Sequence, residues 1–147
     1  MYELVDFAAD KLGRTVFFNP SLSMEEKTER ALQYGDLMIT AFEETEEAFF
    51  LMLARSFLGR MENDLFYRGG ADEQVIAVMD KNLYAMKKTE EMRMKNEALN
   101  RAFDRYGEAT RGNFFKYNLD YRVNAKSGRR AELLKNPDYR AVLDKYK

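Results

Sequence analysis

From Ala71 to Tyr106 the chain runs for 36 residues without a glycine or a proline. A single helix over that span would be about 54 Å long at roughly 1.5 Å per residue. A compact globule of 147 residues has a diameter of roughly 38 Å. The helix would not fit inside it, so it must break, project, or be covered by a second chain. Val78, Ala85, Met92, Leu99 and Tyr106 recur every seventh residue, but the intervening Asn82, Thr89 and Asn96 are polar. Such a seam is weak for a self-sufficient coiled coil. It does make residues 71–106 the expected place for self-association into a homo-oligomer. Only Met92 and Met94 are apolar between Lys87 and Glu97, which marks that stretch as the exposed part.

The second strong helical signal precedes it. Ser23 followed by Glu26 is a capping box, in which the serine caps the third helical amide and the glutamate reaches back. A helix is expected from Met24, pausing at Gly35 and continuing to Leu58 before Gly59. Met38, Phe42, Thr45, Phe49, Met52 and Ser56 step by fours and threes, and Phe50, Leu53 and Phe57 widen that face. Phe42, Phe49, Leu53 and Phe57 are the expected core.

Shorter elements flank these two. Tyr2 to Leu12 reads as a short helix stopped at Gly13, and Met61 to Tyr67 as a brief segment ended by Gly69-Gly70. Arg14 to Asn19, with Thr15, Val16, Phe17 and Phe18, favours a strand. Phe115 to Val123 alternates apolar and polar residues, the period of a half-buried strand, although a helix with Phe114, Tyr117 and Tyr121 on one face is tolerable there too. Gly107 to Gly112 reads as a turn, and Pro137 separates two short helical pieces at the end. The fold expected is mainly α. It is a single-domain bundle of two long antiparallel helices with short flanking helices, to which residues 14–19 and 115–123 could add a small two-stranded ribbon.

Charge is divided along the chain. Residues 1–80 carry 16 acids and 7 bases, net −9; residues 81–147 carry 9 acids and 17 bases, net +8. A field split in this way sets which partners each half can meet. There is no His and no Cys. That removes Ser–His and Cys–His nucleophile systems, thiolate metal sites and the usual general base near neutral pH. No phosphate-cradling glycine motif occurs, and no cofactor is expected. Met1 to Leu12 has no basic n-region or apolar h-region, and the longest apolar run, Ala48 to Ala54, is seven residues. A membrane span needs roughly 20. A cytoplasmic protein with no membrane partner is expected.

Two groups of residues remain as candidate sites. Glu43, Glu44, Glu46 and Glu47 would share helical faces three and four residues apart. Such carboxylates suit Mg²⁺ or Mn²⁺. Di-metal carboxylate bundles complete their sites with Glu-x-x-His, however, and this chain has no His, so no metal site is expected. The plainer alternatives are a solvated face or a surface for a basic partner. The second group is Lys116, Arg122, Lys126, Arg129, Arg130, Lys135 and Arg140, interleaved with Tyr117, Tyr121 and Tyr139. Cations beside aromatics suit phosphate contact and base stacking. Asp120, Glu132, Asp138 and Asp144 dilute that patch.

The expected function is therefore non-enzymatic binding of a macromolecular partner through the acidic face. The partner would be a protein, of the basic kind that itself holds nucleic acid, with the glutamates imitating a phosphate row as an inhibitor would. Accessory proteins of phages and mobile elements share this type of composition. Nucleic-acid binding through the basic half is the alternative, and a carboxylate-dependent enzyme stands third.

Overall fold

The computed structural model of the chain describes residues 8, 10, 11, 13–98, 101 and 114–147. The fold is all-α, with no strand among the described residues. The helices bounded there are α1 (Met24–Thr45), α2 (Ala48–Tyr67), α3 (Asp72–Lys95), α4 (Phe114–Val123), α5 (Gly128–Leu133) and α6 (Pro137–Tyr146). The chain divides into two compact units, residues 1–85 and 86–147, with the division falling inside α3.

The first unit is a bundle. The Ser23–Glu26 capping box opens α1: Ser23 Oγ accepts from the Glu26 amide (3.1 Å) and the Ser23 amide donates to Glu26 Oε1 (3.2 Å). Those bonds, with Arg30 nearby, hold the Glu26 carboxyl below its ordinary range. α1 and α2 pair most extensively. They run antiparallel, since Tyr34 meets Phe57 and Gly35 meets Leu58 about the turn at 46–47. The closeness of that pairing explains Gly35, which lies inside α1 and does not interrupt it. A Cβ there would stand 2.8 Å from Leu58 Cδ2 and 3.1 Å from two further Leu58 carbons. Gly59 likewise lies inside α2, which absorbs Met61 to Tyr67.

The part of α3 in this unit returns parallel to α1. Lys81 pairs with Asp36, and the Tyr84 hydroxyl donates to Glu43 Oε1 (2.7 Å), so the contacts ascend together. Asn82 Nδ2 donates to Glu62 Oε1 of α2 (3.0 Å). The core is Phe42, Leu51, Met52, Leu53, Phe57, Leu58, Met61 and Leu65 with Val75, Val78, Met79 and Leu83. Phe42, Leu53 and Phe57 are buried as the spacing predicts, whereas Phe49 is only half-buried, its ring against Phe50. The chain leaves the helical path between Thr45 and Ala48. The stripe that begins at Met38 is therefore split over two helices, and Phe49 falls at the edge.

Of the outcomes open to the long helix, it breaks, at Asn96. Several other expectations are corrected. The stretch around Lys87–Glu97 is not simply solvated: Thr89, Glu90 and Arg93 are buried, with Arg93 3.7 Å from Glu90, while Lys87, Met94, Lys95 and Glu97 are exposed. Of the three polar members of the heptad, Asn82 and Thr89 are already covered in the single chain, and Asn96 is exposed. Gly13 does not stop a helix. Residues 13–16 are helical, and the Phe17 and Phe18 amides both donate to the Gly13 carbonyl (2.8 and 3.1 Å). Burial decides this against strand propensity, which reflects fit to a pleated surface. Val16 and Phe17 are both buried although adjacent, and Phe17 packs against Phe57 (4.9 Å). Most of the expected helix at Tyr2 to Leu12 and all of the expected turn at Gly107 to Gly112 lie outside the described residues.

In the second unit the alternating Phe115–Val123 segment is the helix α4. A strand would need a partner and a common buried face for Phe115, Tyr117, Leu119, Tyr121 and Val123, and only Leu119 of these is buried. The 14–19/115–123 ribbon therefore does not form. α6 starts with Pro137 at its first position and Asn136 Oδ1 accepting from the Asp138 amide (2.9 Å). That is a favoured start, because proline's missing N–H would be unsatisfied there anyway. α4 and α6 pack together, with Phe115 against Tyr146 (6.1 Å). Among the described residues of these three C-terminal helices, Leu119, Leu133, Tyr139 and Leu143 are the buried apolar ones.

Candidate functional site

The glutamate row sits at the α1–α2 turn, and the local structure there is unusual. Glu43 and Glu44 close α1, whose last turn contains no basic residue. Glu46 takes a left-handed conformation (φ 57°, ψ 20°), its amide donating to the Phe42 carbonyl. Among the described residues it is the only non-glycine residue with positive φ. Glu47 precedes α2 in extended conformation, and its side chain makes no capping hydrogen bond. Its amide donates instead to Thr45 Oγ1 (3.2 Å), while the Thr45 hydroxyl donates to the Ala41 carbonyl (2.7 Å). All four glutamates are exposed.

Because the helix ends at Thr45, the expected three- and four-residue pairing of these carboxylates on one helical face is lost. No three acidic side chains among the described residues converge where a metal ion could be held. Glu43 alone is tied down, through the Tyr84 hydroxyl. What the turn offers is four exposed carboxylates within five residues beside the packed α1–α2 pair.

The basic candidates divide. Lys116, Lys126 and Arg140 are exposed. Arg122 is buried, and its guanidinium donates to the Asn118 carbonyl of its own helix (2.8 Å). Lys135 is exposed and pairs with Glu132 (3.1 Å). Arg129 and Arg130 are half-buried.

Arg130 lies over the Tyr121 ring, 4.5 Å from its centroid. Tyr121 in turn stacks near-parallel with Tyr117, at 6.3 Å and 15° between planes. Tyr139, the third interleaved tyrosine, is buried. The helical alternative for this segment already sets Tyr117 and Tyr121 on one face, whereas the favoured strand would have kept them roughly 13 Å apart; the contact with Arg130 is not legible in either. Read as a helix, the same two residues are i,i+4 neighbours.

A smaller aromatic–cation cluster escaped the sequence reading altogether. Arg60 of α2 stands over both Phe17 (4.9 Å) and Phe18 (4.5 Å). No spacing in the sequence signals a contact between those segments.

Among the described residues no helix is long and apolar enough to cross a membrane. No family model, no curated protein and no solved structure matches this chain.

Proposed function

We propose that this protein acts by binding a macromolecular partner, not by catalysis, and that Glu43, Glu44, Glu46 and Glu47 form its contact surface. The partner fitted to such a surface is a basic protein, one whose own cationic groove accepts nucleic acid and which the glutamates would occupy as an inhibitor. The observation that carries this reading is that the turn departs from what its own helices favour. Acidic side chains oppose the negative end of a helix, each by about 0.3–1 kcal/mol. A left-handed residue other than glycine costs roughly 1–2 kcal/mol. A glutamate before α2 stands where Ser, Thr, Asp or Asn would cap it. Such local departures from consistency concentrate at functional sites.

The test is affinity capture from cells that naturally make the protein, with three baits. Charge reversal of Glu43, Glu44, Glu46 and Glu47 to Lys should abolish capture of a specific partner that wild type retains. Reversal of Arg129 and Arg130 to Glu should leave that partner bound. The opposite pattern refutes the acidic surface.

A second reading assigns nucleic acid to the basic half. It is favoured by the charge of residues 86–147, where 16 bases and 9 acids leave a net +7, and by the exposure of Lys116, Lys126 and Arg140.

A further inference from the structure

Resting on that second reading, we infer that Tyr117, Tyr121 and Arg130 form a stacking platform for the bases of single-stranded nucleic acid. Two large aromatic side chains on one short helix remain 57% and 52% exposed. Their rings lie near-parallel within the range of offset aromatic pairs. Among the described residues of the three C-terminal helices, the apolar side chains that are buried are Leu119, Leu133, Tyr139 and Leu143, and the two tyrosine rings stand outside that set. The Arg130 guanidinium against Tyr121 fixes that ring and places positive charge beside the pair.

The occupant follows from the charge. Lys126, exposed, lies in the short connection between α4 and α5, the helices that carry Tyr121 and Arg130. Lys116, exposed, adjoins Tyr117 on α4. Rings that offer faces suit unpaired bases, and flanking cations suit the phosphates that link them. Stacking of this kind accepts any base, because every base has a π-face. A duplex keeps its bases stacked on one another and would meet only the cations, so the platform selects single strands.

The test uses the full chain and fluorescence anisotropy at low salt, with a labelled 20-nucleotide oligo(dT), its RNA counterpart, a 20-base-pair duplex and an abasic sugar-phosphate oligomer. Wild type should bind the two base-bearing single strands and hold the duplex and the abasic oligomer at least tenfold more weakly. Tyr117→Ala and Tyr121→Ala should each weaken single-strand binding about tenfold. Tyr117→Phe and Tyr121→Phe, which keep the ring, should bind as wild type does. Circular dichroism of the variants should be unchanged. Lys126→Glu should weaken all four probes together.

The platform is refuted if the alanine variants bind single strands like wild type, or if the abasic oligomer binds as tightly as oligo(dT), while Lys126→Glu still matters. In that case the basic half is an electrostatic binder alone. No measurable binding of any probe by wild type refutes the platform and the nucleic-acid reading together.

Discussion

The two ends of α1 differ in nearly every respect that governs a helix terminus. At its start, Ser23 and Glu26 satisfy each other's backbone amides, and Glu25 and Glu26 place negative charge at the positive end of the helix dipole. At its finish, Glu43 and Glu44 place negative charge at the negative end, Glu46 takes a left-handed backbone, and the last turn contains no basic residue. Twenty residues apart, the same chain follows the rules of local stability and then breaks them. The break is tolerated because the bundle between the two ends holds the turn in place. The α1–α2 packing is the most extensive helix pairing described, and it supports a turn whose own residues are locally unfavourable.

The largest expected effect probes that packing. Phe57 is 1% exposed and contacts Phe17 and Tyr34, so Phe57→Ala should cost about 3–5 kcal/mol in urea denaturation. Phe49 is half-buried at the edge of the turn, and Phe49→Ala should cost about 1–2 kcal/mol. Equal losses at the two sites would break the distinction between bundle and turn.

Next is the helix crossing. Gly35→Ala forces a methyl into the fully buried Leu58 and should lose about 1–3 kcal/mol despite alanine's better helix propensity. At Gly59 the nearest atom to a new Cβ is Asn82 Nδ2, at an ordinary 3.7 Å. Gly59→Ala should therefore gain about 0.5–1 kcal/mol. Thermal unfolding of the pair gives opposite signs if α1 and α2 meet as described.

The well-made end of α1 comes third. Ser23→Ala should cost about 1 kcal/mol. The lowered Glu26 pKa means that the folded state favours the carboxylate. Its contribution is full above the ordinary glutamate range and fades as pH falls through the lowered value. The stability gap between wild type and Glu26→Gln, followed from neutral pH downward, should shrink across that window. A gap that widens on acidification would contradict the capping geometry.

Smaller, and opposite in sign, is the turn. Glu46→Gly removes the left-handed strain and should raise stability by about 0.5–1 kcal/mol in the same urea assay.

How much of this was legible in the sequence depended on the kind of signal. The capping box is a contact between residues three apart, and it forms as read. The i,i+3/i+4 stripe named Phe42, Leu53 and Phe57 correctly, because helical periodicity reports burial directly. The α1–α2 break was missed: no glycine or proline marks it, and the residue that bends the chain is Glu46. The glycines that do occur in that stretch, Gly35 and Gly59, were read as punctuation. One makes room for Leu58 and the other lies mid-helix, a distinction only the packing partner reveals. The Phe115–Val123 alternation fits a strand equally well on paper. The absence of any strand partner among the described residues and the exposure of Tyr117 and Tyr121 decide for a helix, and with it for the tyrosine stack. Of the candidate sites, the sequence supplied the residue types. It could not show that Glu46 and Glu47 would fall off the helix, or that Arg122 would turn inward while Arg130 meets Tyr121.

The central claim is that the glutamates of the α1–α2 turn are retained for a partner and not for the fold. The most direct measurement is the unfolding free energy of the quadruple variant Glu43→Gln, Glu44→Gln, Glu46→Gln and Glu47→Gln, in which residue 43 can still accept from the Tyr84 hydroxyl. With unfavourable charge removed from the end of α1, the account predicts stability equal to wild type or higher by up to about 1 kcal/mol. A loss of about 2 kcal/mol or more would show that these carboxylates hold the bundle together, and would contradict it.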